Sequence, residues 1–177
     1  MNFGKTIKIF LIDGDPNGRM SCELSNWSGK AYKIPRIKIK ECTDREDLFS
    51  TGVYLLIGKD EEGKDQVYIG EAESILKRLN QQLTAKDFWN EAIVFISKDE
   101  NLNKAHIKYL EHYCCEQAQK INKCELENSI TPTQSSLTEQ DIDFVLSFFD
   151  DMKLLMSALG FPIFEEIKKE KNVRLKQ

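Results

Sequence analysis

No apolar run in this chain approaches the length of a bilayer span, and its first residues carry no secretory pattern. The expectation is therefore a cytoplasmic protein without a membrane partner. The five cysteines (Cys22, Cys42, Cys114, Cys115 and Cys124) are odd in number and include no C-x-x-C pair. That argues against a disulfide framework and a zinc site, and for reduced thiols. Positive charge is in deficit: 25 Lys and Arg against 29 Asp and Glu leave a net charge of −4. That does not suggest a surface coated in DNA-binding charge, whereas a local basic patch could still carry phosphate contacts. There is no H-x-x-x-H array, no paired Asp/Glu cluster of the two-metal kind, no internal repeat and no low-complexity tract.

What is present fits one domain, or one domain with appended pieces: 177 residues, 41% hydrophobic and 31% charged. The most informative stretch runs from Gly52 to Gly70. Apolar runs Val53–Ile57 and Val67–Ile69 flank a polar segment containing Gly63, the pattern of an antiparallel hairpin. Each strand carries a tyrosine with a glycine two residues away, in Gly52-Val53-Tyr54 and in Tyr68-Ile69-Gly70.

Before the hairpin, residues 6–13 and 19–24 read as strands joined by a turn rich in glycine, aspartate and proline. In residues 32–40 polar and apolar positions alternate, so a strand would project Arg36, Lys38 and Lys40 to one side. With Lys30 and Lys33 this is the most basic segment before the tail, and it reads either as a solvated strand edge or as a surface that tracks phosphates. Residues 42–50 suggest a short helix, with Thr43 as its cap.

After the hairpin, Ile75, Leu76, Leu79 and Leu83 fall at helical spacing within residues 71–83, with Arg78 bordering their face. Residues 92–97 read as a buried third strand. The next helix ends near Ile121, and its cap is Ser97 in an S-x-x-E pattern, Asn101 or Asn103. Its buried stripe is Ile107, Leu110, Cys114, Ala118 and Ile121. Glu111 falls within that apolar row, where a carboxylate requires a cation, an arginine or a metal. A loop holding Asn128 and Pro132 leads to a helix capped by Thr138 and stopped at Gly160, which packs on the core or forms a dimer seam. A charged tail follows from Glu165.

The paired tripeptides resemble the GIY-YIG nuclease family, and the likeness extends over roughly residues 52–121 in the order strand, strand, helix, strand, helix. It implies an α/β fold: a small, mainly antiparallel three-stranded sheet flanked by helices. On this division residues 1–45 form an N-terminal β-rich extension, 46–125 the nuclease core and 126–177 a C-terminal helical extension. The resemblance also implies roles. Tyr54 and Tyr68 match the motif tyrosines, one of which orients or deprotonates the attacking water. Gly52 and Gly70 are the motif glycines, Arg78 meets the phosphate, and Glu111 holds Mg²⁺ or Mn²⁺. Asn128 corresponds to a supporting asparagine. His106, near Glu111 in sequence, is a further supporting candidate, and Lys33, Arg36, Lys38 and Lys40 are the candidate nucleic-acid contacts.

The function so implied is divalent-metal-dependent endonuclease cleavage of DNA. The alternative is a catalytically weak or inactive module of the same fold that binds branched or damaged nucleic acid. It draws on Gln82, where many relatives have histidine, on Glu71, where some have lysine, and on the acidic net charge. A third reading makes residues 138–159 a protein-interaction helix.

Overall fold

The computed structural model describes residues 3–129 and 133–166. The strands are β1 (Ile7–Leu11), β2 (Met20–Leu24), β3 (Gly29–Pro35), β4 (Gly52–Lys59), β5 (Asp65–Ala72), β6 (Trp89–Ser97) and β7 (Glu125–Leu126). The helices are α1 (Ile75–Ala85), α2 (Lys104–Ile121) and α3 (Glu139–Ala158). Two 3₁₀ segments, Arg36–Asp44 and Glu46–Phe49, connect β3 to β4. Pro132 and the tail beyond residue 166 lie outside the described residues.

The architecture is α/β, but the sheet has seven strands, not three, in the order β1-β2-β3-β6-β4-β5-β7. Every pairing is antiparallel except the parallel contact of β5 with β7. The three N-terminal strands are part of this same sheet, because β3 pairs along its whole length with β6. Alternation along the central strands feeds two cores. Val53, Leu55, Ile69, Ile93 and Phe95 face α2 and α3, while Tyr54, Leu56, Val94 and Ile96 face α1 and the 3₁₀ segments. Both faces of β6 are covered, which explains its unbroken apolar run.

The basic stretch is not a strand beyond Pro35. Proline fixes φ and brings no N–H to a ladder, and the chain turns there into a 3₁₀ helix. Thr43 falls inside that helix and caps nothing, so the expected helix at 42–50 is replaced by two 3₁₀ pieces without a side-chain cap. Likewise β5 extends to Ala72, so α1 begins at Ile75 and not at residue 71. Of the candidate caps for α2, Asn103 is the one used: its side chain accepts from the His106 amide, and its own amide donates to His106 Nδ1. Thr138 caps α3 by accepting from the Asp141 amide, as its sequence pattern indicates. α3 packs on the core through Val145, Phe148, Phe149, Met152, Leu155 and Met156.

Candidate active site at the outer edge of β5

Tyr54 and Gly70 are direct cross-strand partners in the β4–β5 ladder. A methyl group at position 70 would run into the phenol end of Tyr54. The absence of a side chain there is what lets the Tyr54 ring lie across β5. Gly52 has a related reason: any side chain would strike the Phe95 carbonyl oxygen of β6. Both motif glycines thus serve close approach, and neither is at a positive φ.

The Tyr54 side chain is completely buried. Gln82 Nε2, from α1, donates to its hydroxyl oxygen at 2.9 Å. Tyr68, one strand over, is only partly buried, with its ring centroid 6.1 Å from that of Tyr54. The Lys86 ammonium sits 4.3 Å above the Tyr68 ring and is tied to Glu127 at 2.8 Å. Burial raises the pKa of both phenols above the ordinary value near ~10. Tyr54 is partly relieved by the Gln82 donor and by Arg78 and raised by Glu111; Tyr68 is pushed further up by Tyr54 and Glu111 and partly relieved by Arg78. Of the two, only Tyr68 has a path to solvent.

Arg78 projects from α1 into solvent, and its Nη1 donates to the Glu71 carbonyl oxygen at 3.4 Å. Together with Lys77, Gln81, Ser74 and Glu73 it lines a shallow groove beside the end of β5. Glu111, from α2, does not line that groove but lies near Glu71 and Arg78. Burial first, and then the charge of Glu71, push its carboxyl up to about 7, against pulls downward from the Glu71 amide, Arg78 and Lys108. The Glu71 and Glu111 carboxylates thus lie near one another, which suits a divalent cation: its charge would favour the ionised form of Glu111. The fit is to an ion held by one or two protein oxygens, because no group of three His, Cys, Asp or Glu ligands occurs among the described residues.

Asn128 fixes the same edge. Its Oδ1 accepts from the Ile69 amide at 3.0 Å and its Nδ2 donates to the Ile69 carbonyl at 2.8 Å, so one side chain replaces a neighbouring strand. The Glu127 amide does the same for the Val67 carbonyl at 2.7 Å. The backbone carrying Tyr68 is therefore pinned on both sides.

The remaining candidates lie elsewhere. His106 is buried at the start of α2, where Nδ1 accepts from Asn103 and Nε2 pairs with Asp141 of α3 at 2.8 Å. It staples two helix N-termini and belongs to the fold. Arg36 donates to the Leu83, Lys86 and Trp89 carbonyl oxygens at 2.6, 2.8 and 3.2 Å and stacks 4.4 Å over the Trp89 ring, ending α1. Lys33 pairs with Glu91 at 3.7 Å, and Lys38 with Glu41 at 3.0 Å; Lys40 is exposed. The structure thus does not assemble these four into one phosphate-facing row. Besides Lys86 over Tyr68, cations near the site among the described residues include Lys77, Arg78, Lys104 and Lys108, of which Lys104 stands 3.9 Å from Glu73. Sequence reasoning missed the three lysines because they are scattered over two helices; their common signal is exposure near each helix start.

A comparison with protein-family models, with curated proteins and with solved structures finds no match for the chain.

Proposed function

We propose that this chain is a divalent-metal-dependent endonuclease of the GIY-YIG kind, hydrolysing phosphodiester bonds in DNA at the outer edge of β5. The observation that carries this reading is convergence. Tyr54 from β4, Arg78 from α1 and Glu111 from α2 are distant in sequence, yet all three bear on the ionisation of Tyr68 on β5. Titratable groups shifted by burial and by one another without a neutralising partner are a common mark of catalytic sites.

Each residue has a task that its chemistry suits. The exposed guanidinium of Arg78 binds the scissile phosphate and favours the charge that develops on its oxygens. Glu111, with Glu71 beside it, would hold Mg²⁺ or Mn²⁺, which when bound supplies Lewis acidity toward a phosphate oxygen. Tyr68 orients the attacking water from its half-open position, and Lys86 and Asn128 keep its ring and backbone in place. Lys77, Lys104 and Lys108 draw the flanking backbone toward the groove.

The test is nicking of supercoiled plasmid with Mg²⁺ or Mn²⁺. Arg78→Ala and Glu111→Ala should each lower the rate by about 10²–10³-fold, the scale of losing one charged transition-state contact, with circular dichroism unchanged. Equal rates in wild type and both variants would refute the assignment. Tight, salt-dependent binding of branched DNA without cleavage under either metal would favour the non-cutting module instead. The acidic Glu71–Glu111 corner is the observation on that side.

A further inference from the structure

The two outer edges of the sheet are finished differently. Along β5, the Glu127 amide beside β7 and the Asn128 side chain take up outward backbone groups of Val67 and Ile69. At the opposite end stands β1, paired with β2 on one side and with no strand on the other. Exposed edges are normally blunted by a bulge, a proline or several charges. The register of β1 on β2 runs unbroken from Ile7 to Leu11, without a proline, and Lys8 is the one charged residue in the strand. Ile9 and Phe10 point to opposite faces of the sheet, and they are 50% and 56% exposed.

The spare hydrogen-bonding capacity of β1 has a direction. The Thr6 carbonyl accepts from the Ser25 amide, and the Ile12 amide donates to the Arg19 carbonyl. Positions 6 and 12 thus face β2, and by antiparallel alternation so do 8 and 10. The amides and carbonyls of Ile7, Ile9 and Leu11 are turned outward. Among the described residues only the Leu11 carbonyl of this set has a partner, the Gly14 amide of the following turn.

We propose that β1 pairs antiparallel with β1 of a second copy of this chain, about a two-fold axis through Ile9, joining two seven-stranded sheets into one. The occupant follows from self-complementarity. With Ile9 opposite Ile9 of the other copy, these two residues exchange both backbone bonds, and Ile7 does the same with Leu11 of the other copy. The side chains match as well. On one face Ile9 meets itself between Ile7 and Leu11, which already pack on the core formed with α2 and α3. On the other face Lys8 stands across from Phe10, an ammonium beside an aromatic ring. Just beyond the strand ends the same register sets Lys5 against Asp13, opposite in sign.

Other registers do worse. A slip by one residue sets outward groups against positions whose groups face β2. A slip by two cuts the overlap from five residues to three, and in one direction it sets Lys8 against Lys8. The candidate active site lies at the far edge of the sheet, so this pairing leaves it open and is independent of the nuclease reading.

The experiment is sedimentation velocity on the full chain from about 1 µM to about 1 mM, the affinities open to a small interface, with amide hydrogen exchange at both ends of that range. Wild type should pass from monomer to dimer, and the amides of Ile7, Ile9 and Leu11 should slow by about tenfold or more as it does so. Phe10→Glu and Phe10→Lys alter an exposed side chain, leave the monomer folded and differ in sign. Across from Lys8 of the other copy, glutamate should retain the dimer, whereas lysine should bind about tenfold more weakly than glutamate, because two like-charged pairs form per dimer. Ile9→Lys, which sets two ammonium groups face to face on the axis, should leave monomer throughout. A wild type that stays monomeric at the highest concentration overturns the proposal. So does a dimer whose Ile9 amide exchanges as freely as in the monomer, or one that the two Phe10 variants weaken equally, since its contact would lie on another face or in another register.

Discussion

Around Arg19 and Arg36 cations meet acceptors, whereas at the outer edge of β5 carboxylates and phenols meet one another. Arg19 is 6% exposed, and its guanidinium reaches Asp13 at 2.8 Å, Asp44 at 2.9 Å and the Glu41 carbonyl at 3.1 Å. That contact holds the Asp13 carboxyl well below the usual carboxylate range. Arg36 spends its donors on three carbonyl oxygens at the end of α1. At the β5 edge Glu111 is pushed up to about 7, both tyrosines are raised, and Gln82 keeps a buried oxygen without a partner. The first region is polar in a way that holds the chain together. The second is polar in a way that a cation would relieve, and on the proposed reading this contrast separates structural from functional charge.

Exchanging the two arginines' fates tests this division, and it has the largest expected effect. Arg78→Ala should remove nicking by about 10²–10³-fold and leave the melting temperature within about a degree, because an exposed side chain with one long hydrogen bond holds little of the fold. Arg36→Ala should do the reverse. Losing three charge-assisted bonds and the stack on Trp89 leaves carbonyls unpaired and should cost about 3 kcal/mol. For a chain of this size that is roughly 6–12 °C in Tm, with cleavage per folded molecule retained. Calorimetry and nicking on both variants decide it. If Arg36→Ala lost activity without losing stability, Arg36 would belong with Arg78.

The sheet was less legible in the sequence than the residues proposed for the site. Tyr54, Tyr68 and Arg78 stand out through the family resemblance, and Glu111 also as a carboxylate in an apolar row; both rest on short stretches of sequence. The hairpin, the β6 run and the apolar stripe of α1 were readable for the same reason. The pairing of β3 with β6 joins residues more than fifty positions apart, and no local pattern announces it. The period-two alternation of Arg36, Ile37, Lys38, Ile39 and Lys40 misled because one tertiary contact, Arg36 on Trp89, together with Pro35, overrides it. His106 was drawn toward Glu111 by sequence proximity, whereas its partners are Asn103 and Asp141. That Tyr54 is wholly enclosed followed from α1 and Gln82 closing over it, which strand periodicity cannot show.

The smallest effect carries the most information, because its sign is opposite in the two regions. Glu111 titrates from an ordinary 4.5 in the unfolded chain to about 7 in the fold. Between those values the native state binds more protons than the unfolded one, so this group makes stability fall as pH rises through the window and level off above it. Asp13, whose carboxyl is lowered by Arg19, works the other way: its contribution is present above the unfolded pKa and is lost as pH falls below it. Glu111→Gln abolishes the first titration. It should therefore be more stable than wild type by about 2 kcal/mol near pH 8, with the gain vanishing near pH 4. Saturating Mg²⁺ should narrow the gap at the higher pH, since only the carboxylate gains from the ion. Urea unfolding at the two pH values, with and without Mg²⁺, reads all three quantities. A Gln variant no more stable than wild type near pH 8 would mean that Glu111 is well solvated after all, and the distinction between the β5 edge and the arginine-held region would lose its energetic basis.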